Sequence, residues 1–265
     1  MPDFVKDEIK LGDEFKALHP ESFKTIQIKN RDLFFTQIGA SGAPKIIFIH
    51  GSPGSWGSFV KVLNRPTLSK SALVIAADRL GFGGSSRGGV ARTLGEQAAA
   101  MIKLLDLDDP KQSAILVGHS FGGPVVAKMA AMNDPRIKSV LILAGSVDPN
   151  LEKTKWYQIP ADWLILKWAI PKDLVTCNEE ILALKPELEI LSKQWTDMTA
   201  RLTVVQGLDD DLVPPGNADF IQEKARHLHP NIIRIPNRNH FLQVYENDLI
   251  EKILLEELSI IRGQK

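Results

Sequence analysis

Short uninterrupted apolar runs recur along the chain, separated by longer stretches in which apolar residues return every three or four positions. Lys45–His50 (KIIFIH), Leu73–Asp78 (LVIAAD), Ala114–His119 (AILVGH), Lys138–Ala144 (KSVLILA) and Leu202–Gly207 (LTVVQG) read as strands buried on both faces. Asn231–Pro236 (NIIRIP) is a weaker run of the same kind. Lys24–Ile28 and Leu33–Ile38 read as a β-hairpin, with Asn30 and Asp32 near its turn. Helical periodicity fills the intervals. Thr93–Leu107 places Leu94, Ala98, Met101 and Leu105 on one face. Phe121–Asn133, Pro215–Leu228 and Leu242–Ile261 follow strands in the same way. This alternation predicts an α/β fold: a mostly parallel eight-stranded sheet flanked by helices on both faces.

One interval breaks the pattern. Between about 148 and 199 no strong strand occurs, and Trp156, Trp163, Trp168 and Trp195 fall there. The expected organisation is a core of residues 1–147 and 200–265, with 148–199 inserted as a small helical cap. Most of these tryptophans are expected to pack the cap, with one or two free to line a pocket. Trp163–Ile170 (WLILKWAI) has the character of a lid that could touch lipid, and it is too short to span a membrane.

Composition narrows the class of function. Lys plus Arg and Asp plus Glu both total 32, so there is no basic excess of the kind that nucleic-acid binding needs. Hydrophobic residues make up 44% of the chain, enough to exclude wholesale disorder. Cys177 is the single cysteine, so an intrachain disulfide is impossible and a Cys-based zinc site is not expected. The first fifteen residues mix Asp, Glu and Lys with isolated apolar residues and do not read as a secretory signal. No apolar stretch approaches a membrane span, and a cytoplasmic protein is expected.

Chemistry concentrates in Gly118-His119-Ser120-Phe121-Gly122, a G-x-S-x-G sequence. The bare pattern is common. Its position at the end of a buried strand, opening a helix, is the context that makes it a nucleophile elbow. A serine hydroxyl needs a base. His19 and His50 precede the serine, His119 adjoins it, and His227 and His229 lie at a helix end. His240 lies in the loop after the last strand, at the sheet edge from which Ser120 emerges. A base needs an acid to fix its tautomer, and Asp209, Asp210 and Asp211 follow the strand before it. In an extended segment only one or two of these three can face His240.

At this point the chain resembles the α/β-hydrolase fold family, over roughly residues 24–147 and 200–262. His50-Gly51-Ser52-Pro53-Gly54 looks like the HGxPG oxyanion loop. Asp78–Ser85 looks like the D-x-x-G-x-G-x-S loop, and GHSFGG is the elbow. The family pattern G-x-x-D-x-x-V-P falls on Gly207, Asp210, Val213 and Pro214, which selects Asp210 as the acid. Asp148, after the sixth strand, occupies the alternative place for it. Asn239 stands where the family usually has Gly before the His, and Asn tolerates a left-handed backbone.

The resemblance implies a catalytic triad of Ser120, Asp210 and His240, with no metal and no organic cofactor. Pro53 has no N–H, so the resemblance points to the backbone N–H groups of Ser52 and Phe121 as the oxyanion hole. Trp56, just beyond that loop, is expected either to border the substrate pocket or to pack in the core. The implied activity is that of a serine esterase, a carboxylesterase acting on small to medium acyl groups of a small-molecule ester-like substrate. The same residues would also serve C–C, thioester, lactone or N-terminal proline amide cleavage. A non-catalytic receptor on the same scaffold is the reading from another class.

Overall fold

The computed structural model describes residues 3–85, 89–152 and 172–263. The strands are β1 (Phe23–Ile28), β2 (Arg31–Gly39), β3 (Lys45–Ile49), β4 (Leu73–Ala77), β5 (Ala114–His119), β6 (Ile137–Leu143), β7 (Arg201–Gly207) and β8 (Asn231–Ile235). They form one sheet in the order β1-β2-β4-β3-β5-β6-β7-β8. β1 and β2 pair antiparallel, as do β2 and β4, and every other pairing is parallel. The helices are α1 (Asp3–Leu18), α2 (Val60–Leu63), α3 (Pro66–Ser71), α4 (Leu94–Met101), α5 (Gly122–Ala131), α6 (Lys172–Leu191), α7 (Gly216–Lys224), α8 (Leu242–Tyr245) and α9 (Asn247–Ile261).

Burial explains why the central strands carry no polar alternation. On β3, Ile47 and Ile49 enter the core on one face of the sheet, while Ile46 and Phe48 enter the core on the other. The same division holds on β5, with Leu116 on one side and Ile115 and Val117 on the other. Strand geometry sends successive side chains to opposite faces, so a strand covered twice must be apolar throughout. The first core packs under α4, α5, α6 and α7, and the second under α1, α2, α3 and α9.

The helices differ from the sequence expectation in several places. α1 has no counterpart in the elements read from the sequence. It buries Phe15 against Trp56 (ring centroids 5.7 Å apart) and Phe23 (6.1 Å). The helix expected from Leu242 to Ile261 is broken at Glu246, whose backbone is not helical, and Asn247 Nδ2 donates to the Val244 carbonyl at 2.8 Å. The helix expected over 93–107 tightens to a 3-10 turn from Ile102. Its start is fastened twice: Thr93 Oγ1 accepts the Glu96 N–H, and the Glu187 carboxylate on α6 accepts the Leu94 N–H at 2.8 Å.

Within the stretch read as a cap, Trp156, Trp163, Trp168 and the 163–170 segment lie outside the described residues. The rest of it packs closely with the sheet. Leu184, Leu188, Leu191 and Trp195 belong to the same core as β5 and α5, with Trp195 fully buried. Among the described residues, no helix is long and apolar enough to cross a membrane.

Candidate active site

Ser120 follows β5 and turns through Phe121 into α5, with φ of 54°, a left-handed conformation that costs a non-glycine residue strain. The turn is tied by its backbone. The Ser120 N–H donates to the Leu143 carbonyl at 3.0 Å, and the Ser120 carbonyl accepts the Gly123 N–H at 2.9 Å. The two flanking glycines are needed for space. A Cβ on Gly118 would collide with the Gly122 carbonyl, and one on Gly122 with the Ile49 carbonyl. A Cβ on Gly51 would come within 2.9 Å of Ser120 Cβ, so the loop after β3 lies directly against the serine.

His240 follows β8 and Asp210 follows β7, at the C-terminal ends of neighbouring parallel strands. Their Nδ1 and Oδ2 are 2.8 Å apart, and both side chains are buried. The other carboxylate oxygen of Asp210 accepts the N–H groups of Leu212 (2.9 Å) and Val213 (2.8 Å). Asp209 and Asp211 are exposed, so the turn selects one carboxylate of three. Donation from Nδ1 to Asp210 leaves Nε2 of His240 as the nitrogen with the free lone pair. Asp148 is used elsewhere: its carboxylate caps the Asn150 N–H at 2.8 Å, and its own N–H donates to Asn217. Asn239 is not left-handed as expected. That conformation falls on Asn237, two residues earlier, with φ of 56°.

His119 couples the two halves of the site. Its Nε2–H donates to the His240 carbonyl at 3.0 Å, and the rings lie 4.8 Å apart. The loop carrying His240 is thereby tied to the residue next to Ser120. Burial, with the neighbouring His240 second, pushes His119 down to about 3. His50 is also fully buried. Its Nδ1 donates to the Gly51 carbonyl at 2.7 Å and its Nε2 accepts the Arg79 N–H at 2.9 Å. Burial and then the Arg79 charge push it well below the usual histidine value. Both are therefore neutral in the folded chain, whereas the unfolded chain protonates near pH 6.5. Below that pH the unfolded state binds more protons, so stability is lost as pH falls from about 6.5 towards the folded values. Urea unfolding at pH 7 and pH 5 is expected to differ by about 2 kcal/mol for each histidine. A flat profile would mean that these rings accept protons in place.

Beside this site lies a group that the sequence did not single out. Arg79 is fully buried and forms a two-pronged ion pair with Glu180 on α6, at 2.7 and 3.0 Å. The pair is 101 residues apart in sequence. Glu180 also accepts from Ser52 Oγ (3.1 Å) and Gln97 Nε2 (2.8 Å). The Arg79 guanidinium lies 4.4 Å from the centre of the Phe121 ring. The one available signal was an arginine within the Asp78–Ser85 loop.

Trp56 goes to the core. Its ring is packed between Phe15 and Phe23 and is 6% exposed, while its backbone N–H donates to Asp78 at 2.7 Å. Once α1 covers this face, the indole has apolar partners on both sides, as core packing requires. Among the described residues, no group of three or more His, Cys, Asp or Glu could hold a metal ion.

Comparison with known proteins agrees with the architecture. The profile of the alpha/beta hydrolase fold matches residues 44–172. An enol-lactonase from Burkholderia xenovorans superposes with a TM-score of 0.68 at 15% identity, covering 89% of this chain and 100% of the other. A serine hydrolase from Cycloclasticus zankles superposes at 0.67 and 15% identity, covering 91% and 98%. The chain has the α/β-hydrolase fold. Among curated relatives, it is 36% identical over 132 residues to a bifunctional esterase/perhydrolase of Acinetobacter calcoaceticus, covering 47% of this chain and 44% of that protein. It is 36% identical over 128 residues to a 2-hydroxymuconate semialdehyde hydrolase of a Pseudomonas strain, covering 45% and 43%. It is 32% identical over 161 residues to a 1-acylglycerol-3-phosphate O-acyltransferase of Arabidopsis thaliana, covering 58% and 38%. The chain thus spans less than half the length of each of these three curated relatives.

Proposed function

We propose that this chain is a serine hydrolase that cleaves ester-type bonds through an acyl-enzyme, with small to medium acyl groups as its substrates. The observation that carries this reading is the 2.8 Å pairing of His240 with Asp210, in a loop tied through His119 to the strained turn at Ser120. Ser120 Oγ attacks the carbonyl carbon while His240 Nε2 takes the hydroxyl proton. Asp210 holds the imidazole in the required tautomer and stabilises the imidazolium. The carbonyl oxygen becomes an oxyanion facing the N–H groups of Ser52 and Phe121. Collapse expels the alkoxide, which takes the proton from His240. Water then attacks the acyl-enzyme, giving its proton to His240, and the acid leaves as Ser120 is restored. Residues 148–199 form the cap that bounds the acyl pocket in this reading. The esterase, semialdehyde hydrolase and acyltransferase names among the relatives support acyl chemistry and leave the scissile bond to experiment.

Intact-mass spectrometry after treatment with a fluorophosphonate tests the reading. A single adduct that peptide mapping places on Ser120 is expected. A panel of p-nitrophenyl esters of increasing acyl length, with thioesters and lactones beside them, is expected to show turnover highest on short esters. A folded protein that takes no adduct and turns over none of the panel would overturn the reading. Tight binding of a small molecule without turnover would then favour a receptor.

A further inference from the structure

We propose that the buried Arg79–Glu180 pair is a positioning device for the oxyanion site, aiming the Ser52 N–H at the reaction centre. This role presupposes the serine-hydrolase reading above. Neither side chain need touch the reacting atoms. The coupling runs through one peptide plane. Arg79 Nε donates to the His50 carbonyl and Nη2 to the Gly51 carbonyl, both at 3.0 Å. His50 Nδ1 donates to the same Gly51 carbonyl at 2.7 Å. In a trans peptide the carbonyl and the following N–H point in opposite directions. The Gly51 carbonyl is held towards the guanidinium, so the Ser52 N–H is aimed away from it. Gly51 itself lies against Ser120, since a Cβ there would sit 3.4 Å from the serine Oγ.

The second donor residue rests on the same cation, with the Phe121 ring 4.4 Å from the guanidinium. The acid fixes the base in turn. Glu180 takes two prongs of Arg79, and its Oε2 also accepts from Ser52 Oγ at 3.1 Å. Lysine could not do this, because only the planar guanidinium fork reaches two carbonyls and a carboxylate together. A buried ion pair adds little net stability compared with apolar residues of similar size. Its geometric hold on residues 50–52 is the effect that apolar residues would not supply. Glu180 lies in the first half of α6, so the pair also links that helix to the oxyanion loop.

The test separates positioning from mere fastening of α6. In the double variant Arg79→Met/Glu180→Met, the charges are removed together and the space is refilled. It is expected to melt near the wild type and to keep KM within about 3-fold, with kcat on a p-nitrophenyl ester down by about 10- to 100-fold. Affinity for a trifluoromethyl ketone, which forms a tetrahedral oxyanion on the serine, is expected to fall by a similar factor. The pH dependence of kcat/KM is expected to stay in place. A folded double variant with wild-type kcat overturns the proposal. If the double variant does not fold, Glu180→Gln decides: a fold intact by circular dichroism with unchanged kcat and unchanged ketone affinity overturns it equally. A wild type that is inert to ester and fluorophosphonate sinks the hydrolase reading and this role with it. An active wild type matched by its variants sinks only the positioning role.

Discussion

Replacing Ser120 by alanine is expected to lower kcat on the best ester by about 10⁶-fold and to abolish fluorophosphonate labelling, with little change in fold. The size follows from the mechanism rather than from any loss of packing. Without Oγ there is no acyl-enzyme, and His240 and Asp210 have no hydroxyl to activate. The N–H groups proposed for the oxyanion belong to the backbone of Ser52 and Phe121, so they would survive the change and leave a residual rate above that in water. Stability should hardly move, because alanine carries the same Cβ into the same left-handed turn and meets the same strain. Equal melting temperatures with a lost adduct would localise the chemistry at Oγ. Continued turnover by a folded Ser120→Ala protein would place the nucleophile elsewhere.

Much of this architecture was legible because the central strands are covered on both faces. Ile46 to Ile49 must all be apolar when alternate residues enter opposite cores, and a run like KIIFIH admits few other meanings. The Ser120 turn was legible for a similar reason, since its glycines are steric necessities beside the Gly122 and Ile49 carbonyls. Legibility failed where the cause lies far away in the chain. α1 is an amphipathic helix whose apolar residues Leu11 and Phe15 are scattered among charges, and its reason to form is the Trp56–Phe23 surface that it covers. Trp56 was uncertain for the same reason: its neighbours arrive from β1 and α1. Glu180 is the extreme case. In sequence it is one acid within an ordinary helical stretch, and only the fold delivers Arg79 to it.

Asp210→Asn is expected to fold normally, to bind substrate with nearly unchanged KM, and to lose about 10⁴-fold in kcat. The backbone decides which way the new amide must lie. One Asp210 oxygen accepts the N–H groups of Leu212 and Val213, and only an oxygen can go on accepting them. The asparagine NH₂ is thereby left facing His240 Nδ1, at the place of the oxygen now 2.8 Å away. Two donors cannot share that contact, so Nδ1 must give up its hydrogen and accept. The proton moves to Nε2, and the nitrogen that should take the Ser120 proton is already occupied. Asp210→Ala should lose the tautomer control together with the turn, and its melting temperature should fall as well. Asp148→Asn is the control. Its carboxylate oxygen serves the Asn150 N–H, which an amide oxygen can also do, so kcat should stay at the wild-type value. Loss of kcat in Asp148→Asn with a fully active Asp210→Asn would transfer the role of the acid to Asp148.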